Sequence, residues 1–321
     1  MTRIAIIGAG QLGSRHLQAL VHLKENVSIQ VLDTNETSLK IAQQRFEEVA
    51  KAFIGTVDYL SDLKKLTKEL DVVIIATGSN FRKDIIVELL SSTKVKYLIL
   101  EKFLFPRLEE YALVEVLLAQ TNTKAWVNCP RRMIDFYRNL KNEMSGTIHM
   151  SAVGNSWGLA CNGIHMLDLF SFLTGISTVN LSNNLIDEKI IPSKRMGYIE
   201  ITGTITGFAA DNTIHLTSFS EAESPLTITI SDKNNRFIIQ EGTISTVLHA
   251  SLKNQWKWET LIFDFPFQSQ LTNVVVSDLL ETGNCELTPY TESAAIHSSF
   301  LTNLISHFKI TNPQLKECLI T

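Results

Sequence analysis

The stretch from Ile4 to Gly13, Ile-Ala-Ile-Ile-Gly-Ala-Gly-Gln-Leu-Gly, decides the fold of this chain. Its apolar start suits a buried strand, and a Gly-x-Gly-x-x-Gly pattern and a polar, helix-forming segment follow directly. A strand, a glycine turn and a helix in this order open a βαβ unit. The stretch therefore predicts a parallel sheet with helices on both faces at the start of the chain.

The rest of the first third alternates short apolar runs with amphipathic segments, which is typical of further βαβ units. We expect strands at residues 4–7, 29–32, 72–75, 97–100 and 125–128. We expect helices at residues 12–22, 36–50, 60–70, 83–90 and 109–120. The apolar runs are unbroken, as in strands that helices cover on both faces.

From about residue 145 the pattern changes to an alternation of apolar and polar residues, for example between Ile199 and Ile205 and between Leu226 and Ile230. Residues 233–236 predict a hairpin turn. Two helices are expected at residues 268–281 and 291–307. One apolar and one polar strand face predict an antiparallel sheet with helices packed on one side.

A chain of 321 residues suits two hydrophobic cores better than one. We therefore expect an α/β protein with an N-terminal Rossmann dinucleotide-binding domain at residues 1–123. The expected second domain, residues 124–321, is an α+β domain with a mostly antiparallel sheet. Substrate binding and oligomerisation are assigned to this second domain.

The composition excludes several classes of protein. Hydrophobic residues make up 45% and charged residues 19%, as in ordinary globular proteins, and the net charge of -4 gives no basic surface for a nucleic acid. No apolar run approaches the roughly 20 residues that span a bilayer. We therefore expect a cytoplasmic protein with no nucleic-acid or membrane partner. No metal site is expected either, because the four cysteines form no CxxC pair: Cys129, Cys161, Cys285 and Cys318.

The glycine pattern predicts a dinucleotide site, because each glycine has a separate task. Gly8 permits the turn, Gly10 lets a diphosphate approach the main chain, and Gly13 lets helix and strand pack closely. Asp33 ends the second predicted strand, where a carboxylate accepts the ribose hydroxyls of NAD and repels the 2′-phosphate of NADP. NAD is therefore favoured, although a glycine turn with an unrelated Asp is the alternative. The residues assigned to the cofactor from these patterns are Gly8, Gly10, Gln11, Leu12, Gly13, Asp33, Thr77 and Asn80.

Three further segments carry a family resemblance. They are Glu101-Lys102-Phe103 at a strand end, Pro130-Arg131-Arg132-Met133, and Gly-Ile-His-Met-Leu-Asp at residues 163–168. With the glycine pattern, they resemble the Glu-Lys strand end, the Asn-Arg-Arg-Phe segment and the Gly-x-His-x-x-Asp helix of one family. This is the glucose-fructose oxidoreductase and inositol dehydrogenase family, Gfo/Idh/MocA.

The resemblance implies hydride transfer between a nicotinamide and a carbinol carbon of a sugar, cyclitol or nucleotide sugar. It implies that Lys102 and His165 are catalytic, since an imidazole can take the hydroxyl proton and an ammonium can stabilise the developing oxyanion. It also implies a homodimer or homotetramer that associates through the open sheet face. Two more cofactor contacts follow from it, Glu101 and Lys102, and four substrate contacts, Arg131, Arg132, Cys161 and Asp168.

Two positions depart from the family pattern. Phe103 stands where many members have Pro, and Cys161 stands where many have an Asp four residues before the histidine. A neutral thiol cannot orient and stabilise an imidazolium as a carboxylate does. The alternative function is therefore a catalytically silent NAD-binding sensor or regulatory protein. In that case His165 is a core histidine and Lys102 a surface lysine.

Overall fold

The computed structural model describes residues 1–221, 223–311, 313–315 and 317–320. The strands follow in chain order: β1 (Thr2–Ile7), β2 (Val27–Leu32), β3 (Gly55–Leu60), β4 (Glu69–Ile75), β5 (Lys94–Leu100), β6 (Lys124–Val127), β7 (His149–Asn155), β8 (Asn180–Ile186), β9 (Ile191–Pro192), β10 (Ile199–Glu200), β11 (Gly203–Ala209), β12 (Asn212–Phe219), β13 (Thr227–Ser231), β14 (Asn235–Gln240), β15 (Ile244–Ser251), β16 (Glu259–Asp264) and β17 (Thr288–Pro289). The helices are α1 (Gln11–Leu20), α2 (Glu36–Glu47), α3 (Ser79–Ser92), α4 (Glu109–Gln120), α5 (Asp135–Glu143), α6 (Leu159–Thr174), α7 (Thr272–Thr282) and α8 (Tyr290–Thr311).

The chain forms two compact units. Unit 1 comprises residues 1–105, 109–130 and 266–291, and unit 2 comprises residues 106–108, 131–265 and 292–321. This division differs from the expected boundary after residue 123. The reason is that β6 pairs with β5, and that α7 and β17 return to unit 1 from late in the sequence.

Within the described part of the chain, unit 1 is built on a seven-stranded sheet in the order β17-β6-β5-β4-β1-β2-β3. β17 is antiparallel to β6, and the other pairs are parallel. Just after the strands, Gly8 N–H donates to Leu32 O and Ala76 N–H to Ile7 O, both at 2.8 Å. The segments that follow these strands therefore lie side by side at the carboxyl edge, where such sheets bind ligands.

The helix predicted at residues 60–70 is wrong. Leucines at 60, 63, 66 and 70 have nearly helical spacing. The structure instead has β3 up to Leu60, a 3₁₀ turn at Leu63–Lys65 and β4 from Glu69. Pairing of β3 with β2 gives this segment a place at the sheet edge, and this tertiary contact overrides the local pattern.

In unit 2 the described residues form an eight-stranded sheet in the order β16-β15-β14-β13-β7-β12-β11-β8. Only the pair β7 and β12 is parallel among its described neighbours, so the expected mostly antiparallel sheet is confirmed. Helix α6 packs on the inner face of this sheet. A Cβ at Gly163 of α6 would lie 2.9 Å from the Phe300 ring of α8, so this glycine lets the two helices approach.

The outer face of the same sheet carries threonines on its middle strands and also exposed apolar side chains, among them Phe208, Phe219 and Ile244. Thr204, Thr227 and Thr229 point to this face and are half-buried, whereas Thr202 is buried and donates to Asp187 at 2.6 Å. Hydroxyl pairs cross between strands, as Thr204 and Thr217 do at 2.9 Å. The alternation read from the sequence thus has the correct register on the middle strands.

The length and hydropathy of a helix decide whether it can cross a membrane. Among the described residues, no helix combines the length and the apolar character that crossing a bilayer requires. Helix α8 has 22 residues and carries Glu292 in its first turn and Lys309 in its last.

Candidate cofactor and acid–base sites

The glycine turn between β1 and α1 has no room for side chains at two of its three glycines. Gly8 has φ +98°, and a Cβ there would lie 2.9 Å from Ala76 C. A Cβ at Gly13 would lie 1.8 Å from Gly8 O. At Gly10 a Cβ would meet no described atom within 4 Å, so open space lies before the start of α1. This is the open side on which a diphosphate can approach unpaired helical N–H groups.

Asp33 lies beside this turn. Its Oδ2 accepts a hydrogen bond from Ala9 N–H at 2.7 Å, and its Oδ1 accepts one from Asn35 N–H at 2.8 Å. Asn35 in turn caps α2 by accepting from Thr37 N–H and Ser38 N–H. Each carboxylate oxygen retains capacity for another donor. The geometry therefore fits a ribose whose hydroxyls donate to Asp33.

A buried arginine, Arg82 of α3, holds two segments at the carboxyl edge. It is 1% exposed and donates to the main-chain oxygens of Thr77, Phe103 and Leu104, the last at 2.9 Å. The turn after β4 and the segment after β5 are thereby fixed to one another. The buried Thr77 hydroxyl has no partner within the described ranges, which fits a group that awaits a ligand. Asn80 lies half-buried in the first turn of α3.

Glu101 at the end of β5 is buried, with 3% of its surface exposed. His16 Nε2 of α1 lies 2.9 Å from Glu101 Oε1, and Asn128 Nδ2 donates to the same oxygen. Thr272 Oγ1 lies 2.8 Å from His16 Nδ1. The Glu101 carboxylate is therefore an anchor between β5, β6 and α1, and this placement differs from the cofactor contact that the sequence analysis assigned to it. Lys102, the next residue, is half-buried, and its peptide bond to Phe103 is cis.

Helix α6 of unit 2 carries Cys161 and His165, which are both half-buried and one turn apart. The Cys161 thiol donates to Glu200 Oε2 at 2.8 Å. Glu200 comes from β10 and also accepts N–H bonds from Ala160, Cys161 and Ile201, the last at 3.0 Å. The carboxylate that position 161 lacks is thus present beside it, supplied by a residue 39 positions later.

A cavity of about 270 Å³ opens beside Cys161 and Glu200. Trp157, Cys161, Glu200 and Ser218 are among the residues that line it. Ser218 is 1% exposed, and its hydroxyl has no partner among the described residues.

Arg131 forms a two-pronged ion pair with Glu241, with Nε to Oε1 at 2.8 Å and Nη2 to Oε2 at 2.5 Å. The Tyr137 hydroxyl donates to the same carboxylate, and burial, reinforced by the charge of Glu241, raises the pKa of Tyr137 well above its usual value. The ring of Phe265 lies 5.5 Å from the Arg131 guanidinium. Arg131 is therefore firmly oriented, and its contact with substrate stays a prediction.

Arg132 and Asp168 were both assigned to the substrate, but the structure pairs them with each other. Arg132 Nε and Nη2 donate to Asp168 at 2.9 and 3.0 Å, and Nη2 also donates to Glu292 at 2.8 Å. The two residues are 6% and 1% exposed. Burial opposes the charge, yet the two carboxylates raise the pKa of Arg132 above its ordinary value. The group joins α6 and α8, and this burial differs from the predicted substrate contact.

The predicted residues thus fall into two groups. In unit 1 the assigned segments lie along one sheet edge, and in unit 2 only Cys161 and His165 share a half-buried helix face. Sequence reasoning did not find four residues that hold these groups in place: His16, Arg82, Asn128 and Glu200. Most of their partners lie between 21 and 256 positions away in the sequence, and no local spacing marks such contacts.

Comparison with known proteins agrees with this geometry. Residues 2–129 match GFO_IDH_MocA, described as an oxidoreductase family with an NAD-binding Rossmann fold. A comparison with curated protein sequences finds no match.

Solved structures share the fold along nearly the whole chain. An oxidoreductase from Agrobacterium radiobacter in complex with NAD+, L-tartaric acid and magnesium has a TM-score of 0.69 at 15% identity, over 98% of this chain and 97% of that one. UDP-N-acetylglucosamine 3-dehydrogenase from Acidithiobacillus ferrooxidans has a TM-score of 0.67 at 13% identity, over 94% and 96%. The super-repressor mutant of Gal80p from Saccharomyces cerevisiae has a TM-score of 0.70 at 13% identity, over 96% of both chains.

At these identities the structures establish the fold, and the sequence match establishes the kind of nucleotide domain. The resemblance read from the glycine turn and the Glu-Lys strand end is confirmed by this match. Residues 2–129 match the NAD-binding Rossmann domain of the Gfo/Idh/MocA oxidoreductase family, and the chain as a whole shares its fold with the solved structures above.

Proposed function

We propose that the protein is an NAD-dependent oxidoreductase that acts on a CH–OH group of a sugar, a cyclitol or a nucleotide sugar. The observation that carries this proposal is the position of the Glu200 carboxylate. It lies 2.8 Å from the thiol of Cys161, which is the residue one helical turn before His165. Because of it, the helix of His165 has a carboxylate at the turn where the sequence shows none.

Each residue has a separate role in the proposed reaction. When bound, the nicotinamide accepts or supplies the hydride at its C4. His165 takes the hydroxyl proton as the carbinol becomes a carbonyl, and the nearby Glu200 anion favours the charged imidazolium. The Lys102 ammonium stabilises the negative charge that develops on the same oxygen. Arg131, oriented by Glu241, contacts the hydroxyl-rich substrate.

The proposed cofactor is NAD rather than NADP. Asp33 accepts from two main-chain N–H groups, and a 2′-phosphate beside it would meet its negative charge. The similar structure from Agrobacterium radiobacter is in complex with NAD+, which supports this preference. The same structure holds L-tartaric acid, and the similar dehydrogenase acts on a UDP-sugar, which supports a hydroxyl-bearing substrate.

The proposed assembly is a homodimer or homotetramer that buries the outer face of the unit 2 sheet. This face carries threonines on its middle strands, so desolvating it costs less than desolvating charged groups. With a net charge of -4, the prediction of a cytoplasmic protein without a nucleic-acid or membrane partner also stands as part of the proposal.

The test is a change in NADH absorbance with a panel of sugars, cyclitols and nucleotide sugars. We expect turnover with at least one member, and loss of this turnover in His165→Ala. Robust activity that survives both His165→Ala and Lys102→Ala would show that the chemistry lies elsewhere.

The second candidate is a silent NAD-binding sensor or regulatory protein. Two observations favour it: position 161 is a thiol, and the super-repressor mutant of Gal80p has the same fold. Tight NAD binding without turnover on the whole panel, in the natural protein and in every variant, would favour this candidate over the enzyme.

A further inference from the structure

Arg45 lies in the last turn of α2, half-buried against α1. Its Nη1 donates to Ser14 Oγ at 2.6 Å, and its Nη2 donates to Gln11 Oε1 at 2.8 Å. Its main-chain oxygen accepts from Gln18 Nε2 at 3.0 Å. Arg45 therefore contacts one face of α1, from Gln18 in the third turn to Gln11, the first residue of the helix.

Within the described residues, the charge of Arg45 has no anionic partner. Both groups that its guanidinium contacts are neutral, and within the described part of the chain no carboxylate pairs with it. The carboxylate nearest in sequence, Glu47, accepts from Gln43 Nε2 at 2.8 Å. Arg131 and Arg132, in contrast, each bind carboxylates. Because both of its contacts are neutral, the positive charge of Arg45 is available to an anion that binds close to it.

The direction in which Arg45 reaches identifies that anion. Gln11 is the first residue of α1, and the first bond at this helix end runs from Ser14 N–H to Gly10 O at 3.0 Å. The N–H groups of Gln11 and Leu12 therefore lack intrahelical acceptors and face the open space before Gly10. The positive end of the helix dipole is located at the same place.

We propose that Arg45 is a positioning residue for the diphosphate of the cofactor. It holds Gln11 and Ser14 in place at the start of α1 and adds a positive charge behind the N–H groups that face the phosphates. The inference depends on the NAD site of unit 1 and not on the proposed substrate. Adenosine lacks the diphosphate, so its binding is independent of Arg45.

The test measures affinity for NAD+, ADP-ribose and adenosine by their displacement of NADH, followed by fluorescence. Arg45→Gln is expected to weaken NAD+ and ADP-ribose by about 3- to 10-fold at low salt, and less at high salt. Adenosine should bind as before. The matched control is Arg15→Gln, since Arg15 is exposed on the same helix and donates to Gln18 at 2.7 Å. It removes the same charge and should leave all three affinities unchanged.

A double-mutant cycle of Arg45→Gln with Gln11→Ala distinguishes the effect of the hydrogen bond between Arg45 and Gln11 from the effect of the positive charge of Arg45. If Arg45 acts through Gln11, each single change weakens ADP-ribose and the double change adds little. If Arg45→Gln does not fold, Gln11→Ala carries the test alone, and unchanged ADP-ribose affinity overturns the proposal. Equal loss for adenosine, or equal loss in Arg15→Gln, also overturns it. A natural protein that binds none of the three probes overturns the cofactor site itself.

Discussion

The glycine turn of unit 1 and the start of α6 in unit 2 are built in opposite ways. At the glycine turn, the groups that face a ligand are main-chain N–H groups, and three glycines within six residues specify them. At α6, the carboxylate beside Cys161 comes from Glu200 on a separate strand. A site formed by main-chain groups is determined by residues that are adjacent in the sequence. A site made of side chains is assembled from distant ones, and changes at one position are compensated at another.

The largest effect is expected at the glycine turn. Gly13→Ala places a Cβ 1.8 Å from Gly8 O, so we expect a loss of about 3 kcal/mol or more in the free energy of unfolding. Gly10→Ala is the matched change, because its Cβ meets no described atom within 4 Å. It should keep the stability and weaken NAD binding by about 10-fold or more, since the methyl group blocks the diphosphate. Denaturant unfolding and NADH titration measure both. Equal stability of the two variants would contradict the close packing of Gly13.

Lys102→Ala is expected to lower turnover by about 10²-fold or more, with NAD affinity nearly unchanged. The reason is that the ammonium is needed mainly where negative charge develops. Lys96→Ala is the control, since Lys96 is an exposed lysine of the same strand. Steady-state kinetics and NADH titration distinguish these outcomes. A loss confined to NAD affinity would assign Lys102 to the cofactor alone.

Glu200→Gln addresses the compensation in unit 2 directly. Without the anion, turnover should fall by about 10-fold, because the charged imidazolium of His165 loses support. The loss should appear both in kcat and in kcat/KM. Glu188→Gln removes an exposed carboxylate from the same region and should change neither.

Cys161→Asp sharpens this prediction. From the sequence, this change restores a carboxylate and should raise the rate. In the structure it places two carboxylates within hydrogen-bonding distance, and their repulsion should lower the melting temperature. A gain in rate is expected only in the double variant with Glu200→Gln. A clear gain in Cys161→Asp alone would mean that Glu200 does not replace the missing carboxylate.

The last prediction concerns the choice of cofactor. Asp33→Ser should weaken NAD binding by about 10-fold and leave NADP binding within a few-fold, because the repulsion of the 2′-phosphate is lost together with the ribose contacts. Asp58→Ser, an exposed change on β3, is the control. Calorimetry with both cofactors measures the ratio. An unchanged ratio would mean that Asp33 supports only the turn, through Ala9 and Asn35.

The two regions also differ in how far the sequence predicts them. The succession of β1, α1 and β2 and the place of Asp33 follow from spacing alone, because these contacts lie within one βαβ unit. The ion pair of Asp168 is not predictable from spacing, because its partner, Arg132, lies 36 positions earlier. The cofactor contact of Glu101 is predicted from the family resemblance of the Glu-Lys strand end. The hydrogen bond between Glu101 and His16 has no local signal, because the two residues lie 85 positions apart. The residues 60–70 were misjudged because a sheet edge outweighs leucine spacing.

The clamp made by Arg82 has a consequence for how this sheet edge tolerates change. Arg82 binds the oxygens of Thr77, Phe103 and Leu104, which are main-chain atoms that every amino acid provides. The hydrogen bonds of Arg82 therefore do not depend on which side chains these three residues carry. Phe103 can stand where relatives have Pro without loosening the segment that carries Lys102. Substitutions at these three positions therefore keep the hydrogen bonds of Arg82, and only the packing of the buried Phe103 and Leu104 side chains limits the choice of residue.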